Sequence, residues 1–132
     1  MAVFVDTGAW CAYFLPRDEY HQVAQQWIQQ NREPLITTDY IFDELLTLLL
    51  IRESSHVAIL AGKALLKGGF TRIEYVTQHD LNQAWEVFQK YKDKSWSFTD
   101  CTSKVIIERL KLTKAFAFDK HFEQFGAITR LP

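Results

Sequence analysis

The chain has 132 residues, enough for one domain spanning residues 1–132 and too few for a second of ordinary size. Apolar residues make up 48% and aromatics 14%, which excludes general disorder. The net charge of −1, from 15 basic and 16 acidic residues, neither requires nor excludes a nucleic acid partner, because a local patch outweighs the sum.

Ala2 to Val5 is a short apolar run that reads as a buried strand, with Asp6-Thr7-Gly8 directly after it. A short helix is expected over Ala9–Leu15, closed by Pro16, and a surface helix over Tyr20–Gln30 with Val23, Ala24, Trp27 and Ile28 on one face. Leu35–Thr37 is a minimal strand. Thr38 or Asp39 caps the next helix, whose Ile41, Leu45, Leu48 and Leu49 recur at helical spacing. Ser54 or Ser55 starts another that runs to Leu66, stopped by Lys67-Gly68-Gly69. Phe70–Val76 reads as a strand. Thr77 and Asp80 resemble a capping box for a helix carrying Leu81, Ala84, Trp85 and Phe88. Ser97 to Asp100 opens a helix with Val105, Ile106, Ile107 and Leu110; Ala115–Phe118 is a strand ending at Asp119, and Ala127–Thr129 a last one.

Strands alternating with helices predict an α/β fold with a parallel sheet and helices on both faces. The N-terminus lacks the basic region of a secretory leader, and the longest largely apolar run, Leu45–Ile51, is far short of the ~18 residues of a membrane span. A cytoplasmic protein without membrane association is expected. Cys11 and Cys101 have no zinc-ligand spacing and read as buried thiols of a reducing compartment.

In open α/β sheets ligands bind beyond the carboxyl ends of the strands, where strand order reverses. Asp6 and Asp119 fall at two such ends, Glu44 in the second turn of its helix and Asp100 in the first turn of another. Four converging carboxylates repel one another, and a divalent cation relieves that repulsion. Oxygen ligands without a suitable His or Cys set point to Mg2+, with Mn2+ as a substitute. Such an ion activates water for in-line hydrolysis of a phosphodiester. Asp6 and Asp100 would bind it directly, and Glu44 and Asp119 directly or through water, with Thr7 and Thr99 supporting the ligands or a phosphate. Each acid also has a structural reading: Asp100 at a helix N-terminus, Asp119 capping the turn that follows it, Glu44 facing solvent beside Asp43. Asp6 resists one, since a carboxylate after a buried strand is costly to desolvate alone.

Four stretches resemble the motifs of PIN-domain nucleases, and among them the toxin ribonucleases of the VapC type. They are Val3-Phe4-Val5-Asp6-Thr7, Thr38 to Glu44, Phe98 to Ser103, and Ala117 to Gly126, in order over nearly the whole chain. Gly8 departs from the pattern, where relatives often carry Ser or Asn. Adjacent helical residues point about 100° apart, so only one of Asp43 and Glu44 faces a site, and the motif selects Glu44. The resemblance implies a PIN-like three-layer fold with a central parallel sheet of four or five strands. It further implies a metal-dependent endoribonuclease acting on tRNA or rRNA, a VapB-like antitoxin partner, and a homodimer.

For RNA contacts, Lys94, Lys104 and Lys120 are candidate phosphate ligands and Trp96 a candidate to stack on an unpaired base. Lys90, Lys92 and Tyr91 lie beside them, and His121 reads as a hydrogen-bonding surface residue. Trp10, Tyr13, Phe14 and Leu15, with Leu46, Leu49 and Leu50, form either core or a groove for an antitoxin helix or a second copy. A haloacid-dehalogenase-like phosphatase wants an Asp at position 8, which is Gly; a receiver domain lacks its acidic pair. The remaining alternatives are a PIN nuclease of RNA processing, a DNA-directed nuclease, and a non-catalytic RNA- or protein-binding PIN-like module.

Overall fold

The structure is a computed structural model that describes residues 1–126 and 128–132. Five strands, β1 (Val3–Val5), β2 (Leu35–Thr38), β3 (Arg72–Glu74), β4 (Lys114–Phe116) and β5 (Thr129–Leu131), form a parallel sheet in the order β3-β2-β1-β4-β5. Phe4 sits between Ile36 of β2 and Ala115 of β4, so the first strand of the chain is the centre of the sheet. All three residues of β1 are fully buried, which is why it reads as an unbroken apolar run without alternation.

Six helices flank the sheet: α1 (Thr7–Phe14), α2 (His21–Gln30), α3 (Asp39–Arg52), α4 (Ser55–Leu66), α5 (Gln78–Lys90) and α6 (Phe98–Arg109). Strand order runs from β1 to β3 in one direction and then returns past β1 to β4. Right-handed crossovers therefore put α1–α4 on one face and α5–α6 on the other. Aromatic packing agrees: Trp27 of α2 stacks on Phe116 at 4.2 Å, while Phe4, whose side chain points the opposite way from its neighbours, meets Phe122 at 6.1 Å. Among the described residues no helix is long and apolar enough to cross a membrane.

The helix starts follow their caps. Thr38 Oγ1 accepts from Ile41 N and Ser54 Oγ from Val57 N, so one polar side chain divides each strand or turn from its helix. Thr77 with Asp80, and Ser97 with Asp100, form full capping boxes. Helix α4 ends where Gly68 and Gly69 both adopt positive φ, a conformation other residues resist.

Three strands differ from expectation. Of the span Phe70–Val76 only Arg72–Glu74 pairs, because β3 is an edge strand whose single neighbour, β2, offers it three residues, Ile36 to Thr38. Phe70 turns instead into the aromatic cluster of Trp10 and Tyr13. The last strand lies at Thr129–Leu131 rather than Ala127–Thr129, and Ala127 is outside the described residues. Strand β4 stops at Phe116, so Asp119 follows it by three residues instead of one.

The cluster proposed as core or groove is mostly core. Trp10 and Leu49 are fully buried and Leu15 nearly so, whereas Leu50 is exposed. Trp10 Nε1 donates to Thr37 Oγ1 (3.1 Å), whose hydroxyl donates to Val5 O (3.0 Å), tying α1, β2 and β1 together. Cys11 and Cys101 are buried free thiols, as expected, and burial pushes each up to about 11.

A buried ion pair joins the opposite face. Arg109 of α6 donates from Nε and Nη2 to both oxygens of Asp80 (3.0 and 2.9 Å) and from Nη1 reaches Glu74 of β3 (3.1 Å). Asp80 is 1% exposed. Its carboxyl is nonetheless held below the ordinary range, because the Thr77 backbone N–H and Arg109 together outweigh the burial that pushes it up. Arg109→Met is expected to cost about 2 kcal/mol in urea unfolding, below the value for a fully enclosed pair because the guanidinium is partly exposed. A carboxylate with a lowered native pKa contributes stability above its unfolded value and loses it as pH falls through the native one. The difference between wild type and variant should accordingly shrink below about pH 4.

Candidate active site

Asp6 sits between β1 and α1 with extended backbone, at the N-cap of α1. Its N–H donates to Phe116 O (3.1 Å) and its carbonyl accepts from Trp10 N (3.1 Å), so the backbone is pinned to β4 and to the helix. The side chain makes no cap bond and is 5% exposed. Burial pushes its carboxyl up to about 8, and the negative charges of Asp100, Asp119 and Glu44 act in the same direction, against the Thr7 backbone N–H. The charges of all three other expected acids thus act on the Asp6 carboxyl.

They arrive from separate elements. Strands β1 and β4 are neighbours at the point where strand order reverses, which brings Asp6 and the loop carrying Asp119 to one rim. Asp100 lies in the first turn of α6, and its Oδ2 accepts from Ser97 N at 3.0 Å. Asp119 caps the 3-10 turn Lys120–Gln124, its Oδ1 accepting from His121 N at 2.9 Å. Glu44 is half-buried in the second turn of α3, whereas Asp43 beside it is exposed. The structural readings of Asp100 at a helix N-terminus and of Asp119 as a cap are therefore real, and those hydrogen bonds fix the carboxylates whose charges act on Asp6.

His121 has a larger place than its reading as a surface residue. Its Nδ1 lies 3.1 Å from Asp100 Oδ2 and 3.3 Å from Asp119 Oδ1, bridging the two carboxylates when that nitrogen carries the proton. Among the described residues, Asp100, Asp119 and His121 offer ligand atoms all within 4.8 Å of one another, a cluster compatible with a metal ion. The signal for His121 was its position two residues after Asp119, where the 3-10 turn folds it back over its own cap.

The donor set fits a hard divalent cation. A buried carboxyl held protonated by burial and like charge is a group whose ionisation a cation would restore. Thr7 Oγ1, next to Asp6, and Ser103 Oγ, one turn after Asp100, are buried hydroxyls without a hydrogen-bond partner. Such groups are costly unless something polar meets them. Gly8 lies in open space where an added Cβ would touch nothing, so its missing side chain opens the helix start and not the core.

The residues expected to contact RNA divide. Lys94 and Lys120 are exposed, and Thr99 is half-buried, its carbonyl engaged by Thr102 Oγ1 at 2.6 Å. Lys104 pairs with Glu108 one turn on, so its charge is already answered within α6. Trp96 is a correction. It is 4% exposed, packed between Tyr91 (4.9 Å) and the edge of Phe125 (5.0 Å), with Nε1 donating to Gln124 Oε1. No ring face is left for a base; the indole instead anchors the turn that carries His121.

A PIN domain family model matches residues 3–128. The 23S rRNA-specific endonuclease VapC20 of Mycobacterium tuberculosis (strain ATCC 25618 / H37Rv) is 30% identical over 130 residues, 98% of each chain. A VapC ribonuclease of Archaeoglobus fulgidus is 30% identical over 127 residues, 92% of this chain and 80% of that one. The crystal structure of the VapC20 Sarcin-Ricin loop cleaving toxin superposes with a TM-score of 0.89 at 29% identity, covering 94% of this chain and 95% of the other. VapBC2 from Rickettsia felis, bound to a promoter DNA fragment, shares the fold with a TM-score of 0.69 at 7% identity over 99% of this chain and 98% of that one.

The Asp6 carboxyl carries a stability signature. Its native pKa of about 8 lies above the unfolded value of about 4, so between them the native state holds a proton that the unfolded state has lost. Stability of the metal-free protein is expected to fall as pH rises from 4 through 8. Asp6→Asn should flatten that slope in thermal unfolding at graded pH, and magnesium should raise the melting temperature of wild type most at the alkaline end.

Proposed function

Since the chain belongs to the PIN-domain family and is an endoribonuclease of its VapC type, we propose that it cleaves structured cellular RNA with a magnesium ion held by Asp6, Asp100, Asp119 and Glu44. What supports the site assignment is the cluster of Asp100, Asp119 and His121 within 4.8 Å of one another, together with the buried Asp6 carboxyl at the switch point of the sheet, on which the charges of three acids act. When bound, a divalent cation supplies Lewis acidity, lowering the pKa of an attacking water and stabilising charge on the scissile phosphate.

The chain's own residues do the rest. Asp6 and Asp100 fix the position of the charge, one from the sheet and one from the first turn of α6. Asp119, from the turn after β4, and Glu44, from the second turn of α3, would complete the ligand set, and the Thr7 hydroxyl would orient what Asp6 holds. His121 Nδ1 keeps the carboxylates of Asp100 and Asp119 together at hydrogen-bond distance. Lys94 and Lys120, exposed on the two 3-10 turns, attract the phosphate backbone toward an otherwise acidic centre.

Ribosomal RNA is the favoured substrate, supported by the named specificity of the VapC20 relative; transfer RNA is the second candidate. The protein acts as the toxin of a VapBC-type pair, with a VapB-like antitoxin as its inhibitor, a reading supported by its VapC-type relatives. Manganese is the expected substitute ion.

The test is incubation of total ribosomal and transfer RNA with magnesium, comparing wild type, Asp6→Asn and wild type in EDTA. Discrete fragments from wild type alone are expected, with Asp6→Asn slower by more than about 100-fold, the upper end of what losing an indirect partner of a metal site costs. Equal cleavage in all three would sink the reading, and cleavage of matched DNA at the same rate would remove the preference for RNA.

A further inference from the structure

We propose that the exposed ridge of Trp85 and Phe88 on α5 is a stacking platform for unpaired bases of the RNA substrate, with Lys92 placed to hold an adjoining phosphate. The proposal rests on the RNA-hydrolysis reading above and gives that site a substrate-binding arm.

Helix α5 buries Ala84 and Asp80 against α6 but leaves Leu81, Trp85 and Phe88 at i, i+4 and i+7 toward solvent. Trp85 is 53% exposed and Phe88 39%. Their rings lie with centroids 6.0 Å apart and planes at 22°, nearly parallel to each other. Exposed Trp and Phe in register are costly to keep in water unless something covers them.

What they lead to decides the occupant. Phe88 meets Phe98 edge-on at 6.0 Å, and Phe98 meets Tyr40 at 6.3 Å. Phe98 is two residues before Asp100 in α6, and Tyr40 is one helical turn before Glu44 in α3. A continuous aromatic run therefore connects solvent to the first turns of the two helices that deliver two of the four carboxylates. An RNA strand whose phosphodiester lies at those carboxylates has its neighbouring bases within reach of this run. Base–aromatic stacking works for any unpaired base, because every base has a π face.

Charge agrees with an anionic occupant. Phe88 shares a cleft of about 200 Å³ with Tyr91, Lys92, Ser95 and the rim of Trp96. Lys92 and Lys94 are exposed on the turn that continues α5. The ridge is also narrow for a protein partner: three partly covered side chains offer roughly 300 Å², against about 800 Å² per partner in a stable interface. Trp85 thus takes the role that sequence alone gave to Trp96, whose ring is enclosed.

The test measures binding apart from cleavage. In an Asp119→Asn background with magnesium, a labelled single-stranded RNA is titrated by fluorescence anisotropy, alongside the same strand carrying abasic nucleotides. Trp85→Ala and Phe88→Ala should each weaken binding about tenfold, within the range measured for losing one stacked base. Trp85→Phe should restore most of it, and the abasic strand should bind the background protein as weakly as the intact strand binds Trp85→Ala. Sedimentation should give one mass for all of them. Unchanged affinity in both alanine variants overturns the proposal, and a lowered mass with unchanged affinity assigns the ridge to a second copy of the chain. Cleavage by wild type run in parallel separates the failures. RNA cut normally with intact binding in the variants removes the platform alone; RNA neither bound nor cut by wild type removes the ribonuclease reading and the platform with it.

Discussion

The arrangement of this protein turns on one buried carboxyl. Asp6 is the first residue after the central strand, its backbone fixed by β4 on one side and by the start of α1 on the other. Its side chain is buried, and three separate elements each carry an acid whose charge acts on it. Desolvation and like charge both oppose its ionisation. A fold built around such a residue is incomplete in its electrostatics, and a bound cation is the simplest complement. The sheet supplies this geometry cheaply, since a switch point next to a central strand is a place where connections leave in opposite directions and open a crevice.

The acids around Asp6 show how structural and chemical duties share one side chain. Asp100 closes a capping box and Asp119 caps a 3-10 turn, so each carboxylate has one oxygen or lone pair committed to backbone N–H groups. That commitment fixes the rotamer without neutralising the charge. Removing either acid therefore disturbs a helix end as well as the site, and stability and function at these positions are not independent. His121 adds a cross-link between the two, and it comes from the very turn that Asp119 initiates.

Much of this was legible in the sequence. The helix caps at Thr38, Ser54, Thr77 and Ser97 were visible because capping is local: the partners lie within three residues. The central strand was visible because burial on both faces erases polar alternation. The limits of β3 and β5 were not, since an edge strand extends only as far as its neighbour pairs, and that is a long-range fact. The four acids were singled out by order and spacing along the chain. The aromatic residues were not sorted correctly, because a tryptophan's composition-level signal is the same whether its ring is enclosed, as at Trp96, or bare, as at Trp85. At Lys104 the sequence reading did not weigh the partner Glu108 one turn away, and helical pairing there competes with any external anion. His121 was seen but undervalued, because only the folded turn brings its ring back over Asp100.

The two thiols have a quieter consequence. Cys11 and Cys101 are enclosed and held at about 11, far from the acidity at which a thiolate forms in neutral solution. Cys101 adjoins Asp100, so a reactive sulfur there would expose the centre to every oxidant and alkylating agent that met it. Kept protonated and enclosed, the thiol is a poor nucleophile in neutral solution, which keeps sulfur chemistry away from the carboxylate beside it.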